Sequence, residues 1–166
     1  MHPRLPKLPS LALVLATALA CASNDAIPVS TTHDPLARFP AQATFSWDEA
    51  AISLPDMPER EATDALFREV AEEAFAARGY QAGAPPTNFR LSYHYAVNER
   101  IGPDVAKAVG SVSILMTESD TGRRVWLGFG RAEVYVGLTR EERKARLRDA
   151  LDRMLAKFPP SGRPPE

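Results

Sequence analysis

Two long proline-free windows do most to limit how this chain can fold. The sequence carries 15 prolines, yet none lies between Glu59 and Ala84 and none between Asp104 and Phe158. Proline lacks an N–H and clashes inside helices and central strands, so unbroken regular structure is concentrated in these windows.

The first window predicts a helix. Asp56 and Glu59 have capping-box spacing, and Pro58 suits a first turn. Leu66, Phe67, Val70, Ala71, Ala74 and Phe75 then recur at i, i+3, i+4 and make one apolar stripe. Gly79 supplies a left-handed residue beyond the end, with Tyr80 placed to fold back on Phe75. The second window closes in another helix. Thr139 and Glu142 form a capping box, and Leu147, Leu151, Met154, Leu155 and Phe158 repeat at helical spacing before Pro159-Pro160 stops it. Glu142 with Arg146, and Asp149 with Arg153, add i,i+4 pairs on its wet side.

Between the helices the period is two. Phe89, Leu91, Tyr93, Tyr95 and Val97 alternate with Arg90, Ser92, His94 and Ala96, as in a half-buried strand. Val109–Thr117 and Arg124–Tyr135 are two further β-rich runs, joined by Glu118–Gly122, whose glycine suits a short hairpin loop. Thr44–Trp47 precedes the first helix as another strand. Asn98–Ala108, broken by Gly102-Pro103, reads as a long loop where binding residues could sit. The order β-α-β-β-β-α fits an α+β two-layer sandwich, with both helices on one face of a largely antiparallel sheet.

The N-terminus reads as an address. Arg4 and Lys7 precede an apolar run from Leu11 to Ala20, interrupted only by Thr17. Ten helical residues cover about 15 Å, half of a bilayer core, so the run suits a signal peptide rather than a span. It ends Ala18-Leu19-Ala20-Cys21, which resembles the lipobox of bacterial lipoproteins, although the usual leucine three residues before the cysteine is Ala18 here. Ala18-Leu19-Ala20 also fits an ordinary signal-peptidase site, so two processing routes compete. The single cysteine favours lipidation at Cys21, because a lone thiol in an exported chain otherwise has no evident use. By the same resemblance Ala22, in place of aspartate, implies outer-membrane sorting if the host is Gram-negative. Residues 1–20 are thus expected to be removed, 21–41 to form a lipidated, Ser/Thr/Pro-rich tether, 42–160 a single α+β domain, and 161–166 a disordered tail.

Several of these features together resemble the domain of unknown function 4136 family of bacterial envelope lipoproteins. They are the early Phe45/Trp47 strand, the helix ending Ala77-Arg78-Gly79-Tyr80, the tyrosine-rich strand, the hairpin running from Asp120-Thr121-Gly122 through Val125-Trp126-Leu127-Gly128, and the closing Phe158-Pro159-Pro160. The similarity spans about Pro35 to Pro160. Where the family opens the hairpin with Gly-Thr-Leu, this chain has Gly110-Ser111-Val112. The resemblance implies an envelope lipoprotein domain without assigned enzymatic activity.

Composition excludes several classes. A formal charge of −1, falling to −3 once Arg4 and Lys7 are removed, lacks the basic excess of nucleic-acid binders. With 45% hydrophobic residues the chain is not generally disordered, and one cysteine cannot build a disulfide scaffold. Of the histidines, His2 is lost with the signal and His33 lies in the expected tether, which leaves His94 without metal partners. Ser92 shares a strand face with His94, but no third residue completes a triad. Asp48-Glu49 and Glu72-Glu73 are adjacent acids rather than a cleft-spanning pair, and Gly128-Phe129-Gly130 sits in a strand rather than at a phosphate loop. No enzyme, metal or cofactor is expected.

The remaining candidate is the last strand, where Trp126 shares a face with Gly128, Gly130 and Ala132, opposite Val125, Leu127 and Phe129. If the helices cover the second set, Trp126 is exposed near Arg90 and His94, as a surface for an envelope protein or glycan. The preferred alternative puts Trp126 in the core and leaves the glycines to permit a bend. The leading expectation is a lipid-anchored, non-enzymatic envelope module held at the membrane by its anchor. The runner-up is a periplasmic carrier of a lipid or other apolar ligand.

Overall fold

The computed structural model describes residues 27–101, 106–134 and 137–159. The expected signal peptide, Cys21 and the expected tail lie outside the described residues. Among the described residues, six strands and two helices follow in the order β1 (Val29–His33), β2 (Ala43–Trp47), a 3-10 turn (Glu49–Ala51), α1 (Arg60–Ala76), β3 (Tyr80–Ala82), β4 (Phe89–Ile101), β5 (Ala106–Glu118), β6 (Arg124–Val134) and α2 (Arg140–Leu155). They form one sheet with spatial order β1-β6-β5-β4-β2-β3. The β1–β6, β6–β5 and β5–β4 pairs are antiparallel, whereas β2 runs parallel to both β4 and β3. The α+β sandwich is thus present, with a mixed edge.

Two strands fall where none was expected. β1 occupies part of the stretch read as tether and pairs Val29–His33 with Gly130–Trp126. Ile27, Ala37 and Phe39 around it are buried, so the folded domain begins by Ile27 rather than at residue 42. Its Val-Ser-Thr-Thr-His sequence hides an edge strand, because β-branched Val and Thr suit pleated backbone even when polarity suggests a linker. β3 is a three-residue strand starting at Tyr80, directly after Gly79 turns the chain at φ +86°. The Tyr80 ring sits against Phe89 and Phe158, and its hydroxyl donates to the Pro40 carbonyl at 2.9 Å.

The expected stripe of α1 is the buried one, residue for residue. Its start differs: the N-cap is Glu59 without a side-chain cap bond, and Pro58 lies in the turn before the helix. The α2 capping box forms as expected, with Thr139 accepting from the Glu142 N–H and the Glu142 carboxylate accepting from the Thr139 N–H at 2.8 Å. Asp149 and Arg153 pair at 2.8 Å. Phe158, just past α2, contacts the rings of Phe39, Phe75, Tyr80 and Trp126 and pins the chain end to the core.

The expected loop Asn98–Ala108 is mostly sheet, since β4 and β5 stay in register up to Ile101 opposite Ala106. Ladder pairing is a backbone property, and absence of an apolar period does not prevent it. At the other end Gly122 takes φ +68° in the hairpin loop, as its position suggested. Arg123 there pairs with Glu118 at 2.7 Å and with Asp34 at 3.1 Å, which ties the loop to the chain after β1.

Register fixes which sheet face the helices cover. Leu91, Met116 and Trp126 lie in one cross-strand row, Tyr93, Ile114 and Gly128 in the next, and Tyr95, Val112 and Gly130 in the third. These rows meet α1 and α2. The helices are joined above them by a ladder of ion pairs: Glu59 to Arg143, Glu69 to Arg140 and Lys144, and Glu73 to Lys144 and Arg148. Most of these side chains are substantially exposed, so the ladder orients the helices while apolar burial supplies most of the stability.

Candidate functional site

The three residues proposed as a binding surface do not converge. Trp126 is 2% exposed, packed edge-on to Phe75 with ring centroids 6.1 Å apart. The trough of small residues beside it exists but is filled. A Cβ on Gly128 would stand 2.5 Å from the Trp126 ring, and one on Gly130 would stand 2.6 Å from Met154 Cε of α2. The glycines therefore admit the indole and the thioether rather than a ligand. Arg90 is half-buried, with its Nη1 3.6 Å from Asp48. His94 is exposed on the opposite sheet face and makes no side-chain hydrogen bond among the described residues. The exposed-Trp126 reading is overturned, because the helices cover the Trp126 face.

What the helices leave open is the face carrying Leu127 and Phe129, 39% and 40% exposed. Ser92, Leu115, Leu127 and Thr32 form one row there, and His94, Ser113, Phe129 and Ser30 the next. A shallow cleft of about 470 Å³ opens on this face, with Thr32, Asp34, Ser92, His94 and Leu115 among its walls. Ser92 and His94 do share it, but among the described residues neither has the hydrogen-bonded partner that a nucleophile and base require. Among the described residues, no group of three or more His, Cys, Asp or Glu side chains is placed to hold a metal ion.

A second cavity, about 480 Å³, lies between the layers where the helices begin. Small residues leave it unfilled: Ala62 and Thr63 on α1 face Gly110 and Ala132 on the sheet. Its walls are apolar, formed by Leu66, Phe67, Val112 and Leu147, with Ile27 contributed from just before β1. Tyr93 stacks on Phe67 at 3.8 Å and donates its hydroxyl to Asp64 of α1. Burial, reinforced by that bond, pushes the Tyr93 phenol well above its ordinary value. Burial also raises Tyr95, against an opposing effect of the nearby Arg143 charge. Arg131, Arg140, Arg143 and Arg146 are among the lining residues, against Glu59 and Glu133.

The sheet is clamped to α1 at its other side. Trp47 donates its indole N–H to Glu72 at 2.8 Å, and Arg68 lies 5.2 Å above the Trp47 ring while binding Glu49 at 2.6 Å. That ion pair raises the Arg68 guanidinium and lowers the Glu49 carboxyl. These charges are mutually satisfied and structural.

Sequence reasoning missed both open features. The Leu127/Phe129 pair is visible in the sequence as a period-2 set, but no local pattern says which sheet face the helices cover; the structure bears out the preferred alternative, with Trp126 in the core. The cavity comes from small residues on three separate elements, α1, β5 and β6, and no local pattern signals that they face one another.

Fold and site together define a two-layer α+β domain with one uncovered sheet face and an apolar space between its layers. The family described as domain of unknown function DUF4136 matches residues 29–160, and the chain belongs to it. Among curated proteins, no sequence matches this chain. Among solved structures it is similar to the PelC dodecamer from Paraburkholderia phytofirmans, with 13% identity over 78% of this chain and 95% of that one, at a TM-score of 0.52. It is also similar to a PDZ domain protein from Parabacteroides distasonis, at 13% identity and TM-score 0.52, covering 82% of this chain and 37% of that one. At these identities the likeness is one of fold.

Proposed function

We propose that this chain is a lipid-anchored lipoprotein of the bacterial envelope, at the periplasmic side of the outer membrane, whose domain is a non-enzymatic binding module. The anchor is Cys21, following an apolar run too short to span a bilayer. Six residue steps take the chain from Cys21 to buried Ile27, a reach of at most about 22 Å, so the domain works close to the membrane surface. The observation that carries the binding reading is the adjacent exposure of Leu127 and Phe129 on the sheet face without helices. Apolar side chains of this size gathered on one open face suit a protein partner better than a glycan.

The test is site-specific photocrosslinking in the native host, with the crosslinker at Phe129 or at exposed Leu36 as a control. The expected result is a discrete adduct from Phe129 only. The same pattern from both positions, or none from Phe129, contradicts the binding module.

A second reading, a carrier for an apolar ligand, is favoured by the inter-layer cavity. Its volume falls within the range of about 300–1,000 Å³ usual for small-molecule sites.

A further inference from the structure

We propose that the inter-layer cavity is a site for a single acyl chain bearing an anionic head, the chain lying along the apolar walls and the head at the arginines of α2. This rests on the carrier reading and names its ligand class. Three observations point the same way. The apolar walls are built from Leu66, Phe67, Val112 and Leu147. The lining includes four guanidinium groups and two carboxylates in a chain whose overall charge is negative. Arg140 and Arg143 are each engaged through one nitrogen, by Glu69 at 2.7 Å and Glu59 at 2.6 Å. A guanidinium has five N–H donors, so both retain donors for an anion.

The Tyr95 hydroxyl adds a fourth. Tyr95 is half-buried in the cavity wall, and its side chain makes no hydrogen bond among the described residues. Arg143 lies near enough for its charge to act on that phenol. A carboxylate or phosphate entering beside Arg143 would accept from both. Ile27 adds the geometry of supply, since it lines the cavity only six positions after Cys21. An acyl chain could come from two sources, the protein's own Cys21 lipid or a free amphiphile, and the chemistry of the site is the same for both.

The experiment measures fluorescence of cis-parinaric acid with the mature lipidated protein and with the exported Cys21→Ser chain. The expected result is saturable uptake by Cys21→Ser, with palmitate displacing the probe. Ala132→Phe, which fills the cavity, should abolish uptake. Arg140→Gln with Arg143→Gln, at solvent-exposed side chains, should weaken the acid by about tenfold while leaving the parinaric methyl ester unchanged. Uptake by Cys21→Ser but not by the lipidated protein assigns the site to the protein's own chain; uptake by both assigns it to a free amphiphile. No uptake by Cys21→Ser, or uptake indifferent to Ala132→Phe in a folded variant, overturns the proposal. The neutral probe N-phenyl-1-naphthylamine separates the two levels. If it enters the cavity and the acid does not, the carrier reading stands and the anionic-ligand proposal falls; if neither enters, both fall.

Discussion

Met154 of α2 lies so close over Gly130 of β6 that a Cβ placed on the glycine would stand 2.6 Å from the methionine Cε. This contact sets how near the helical layer approaches the sheet, and it explains why the last strand carries small residues beside a tryptophan.

Alanine at the two glycines should separate flexible from rigid neighbours. Gly130→Ala meets the end of a methionine, which can rotate aside. Gly128→Ala meets Trp126 ring atoms at 2.5 and 2.9 Å, and that ring is buried on all sides. Overpacking of this kind costs about 1–3 kcal/mol, so urea denaturation should show Gly128→Ala near the upper end and Gly130→Ala near the lower. Combining Gly130→Ala with Met154→Ala should cost less than the sum of the single changes, because one removes the obstacle to the other.

Trp126 and His94 should differ sharply in stability. Trp126→Ala empties a packed core position and should cost about 3–5 kcal/mol. His94→Ala changes an exposed side chain without a hydrogen-bond partner among the described residues and should stay within about 0.5 kcal/mol. Equal, small effects from both in thermal or urea unfolding would contradict the placement of Trp126 against the helices.

Alkaline stability should decline from about pH 10. Burial raises the Tyr80 phenol to about 12, against an ordinary value of 10.0. The neutral form is thus favoured in the folded state, and its contribution is complete below about pH 10 and lost as pH rises towards 12. Tyr93 and Tyr95 are shifted the same way by burial and extend the decline. Tyr80→Phe should flatten part of this limb while losing about 1 kcal/mol at neutral pH with the bond to Pro40. Urea midpoints at pH 8, 10, 11 and 12 check both effects, and an unchanged slope in Tyr80→Phe contradicts the assignment.

Much of the fold was legible because some signals are local. The six-residue stripe of α1, the Thr139–Glu142 cap and the left-handed glycines at 79 and 122 depend on neighbours within a few positions. β1 was not legible, since an edge strand needs only backbone pairing to β6, and Ser30, Thr31 and Thr32 read equally well as linker. The sheet face chosen by the helices was not legible either. Trp126 beside Gly128 and Gly130 describes a trough or a socket equally well, and Met154, distant in sequence, makes it a socket. For the site the deficit is larger. Trp126 lies on β6 and Arg90 and His94 on β4, with β5 between them, and they part company once one sheet face is covered. The cavity depends on small residues from α1, β5 and β6 meeting across the layers.

The most direct test of the account is the mass of the mature N-terminal peptide, taken from protein extracted in detergent from a bacterial host. An N-terminal Cys21 carrying a diacyl or triacyl modification, absent in Cys21→Ser, is the predicted result. An unmodified N-terminus at Cys21 or Ser23 would contradict it and make the protein a freely exported one.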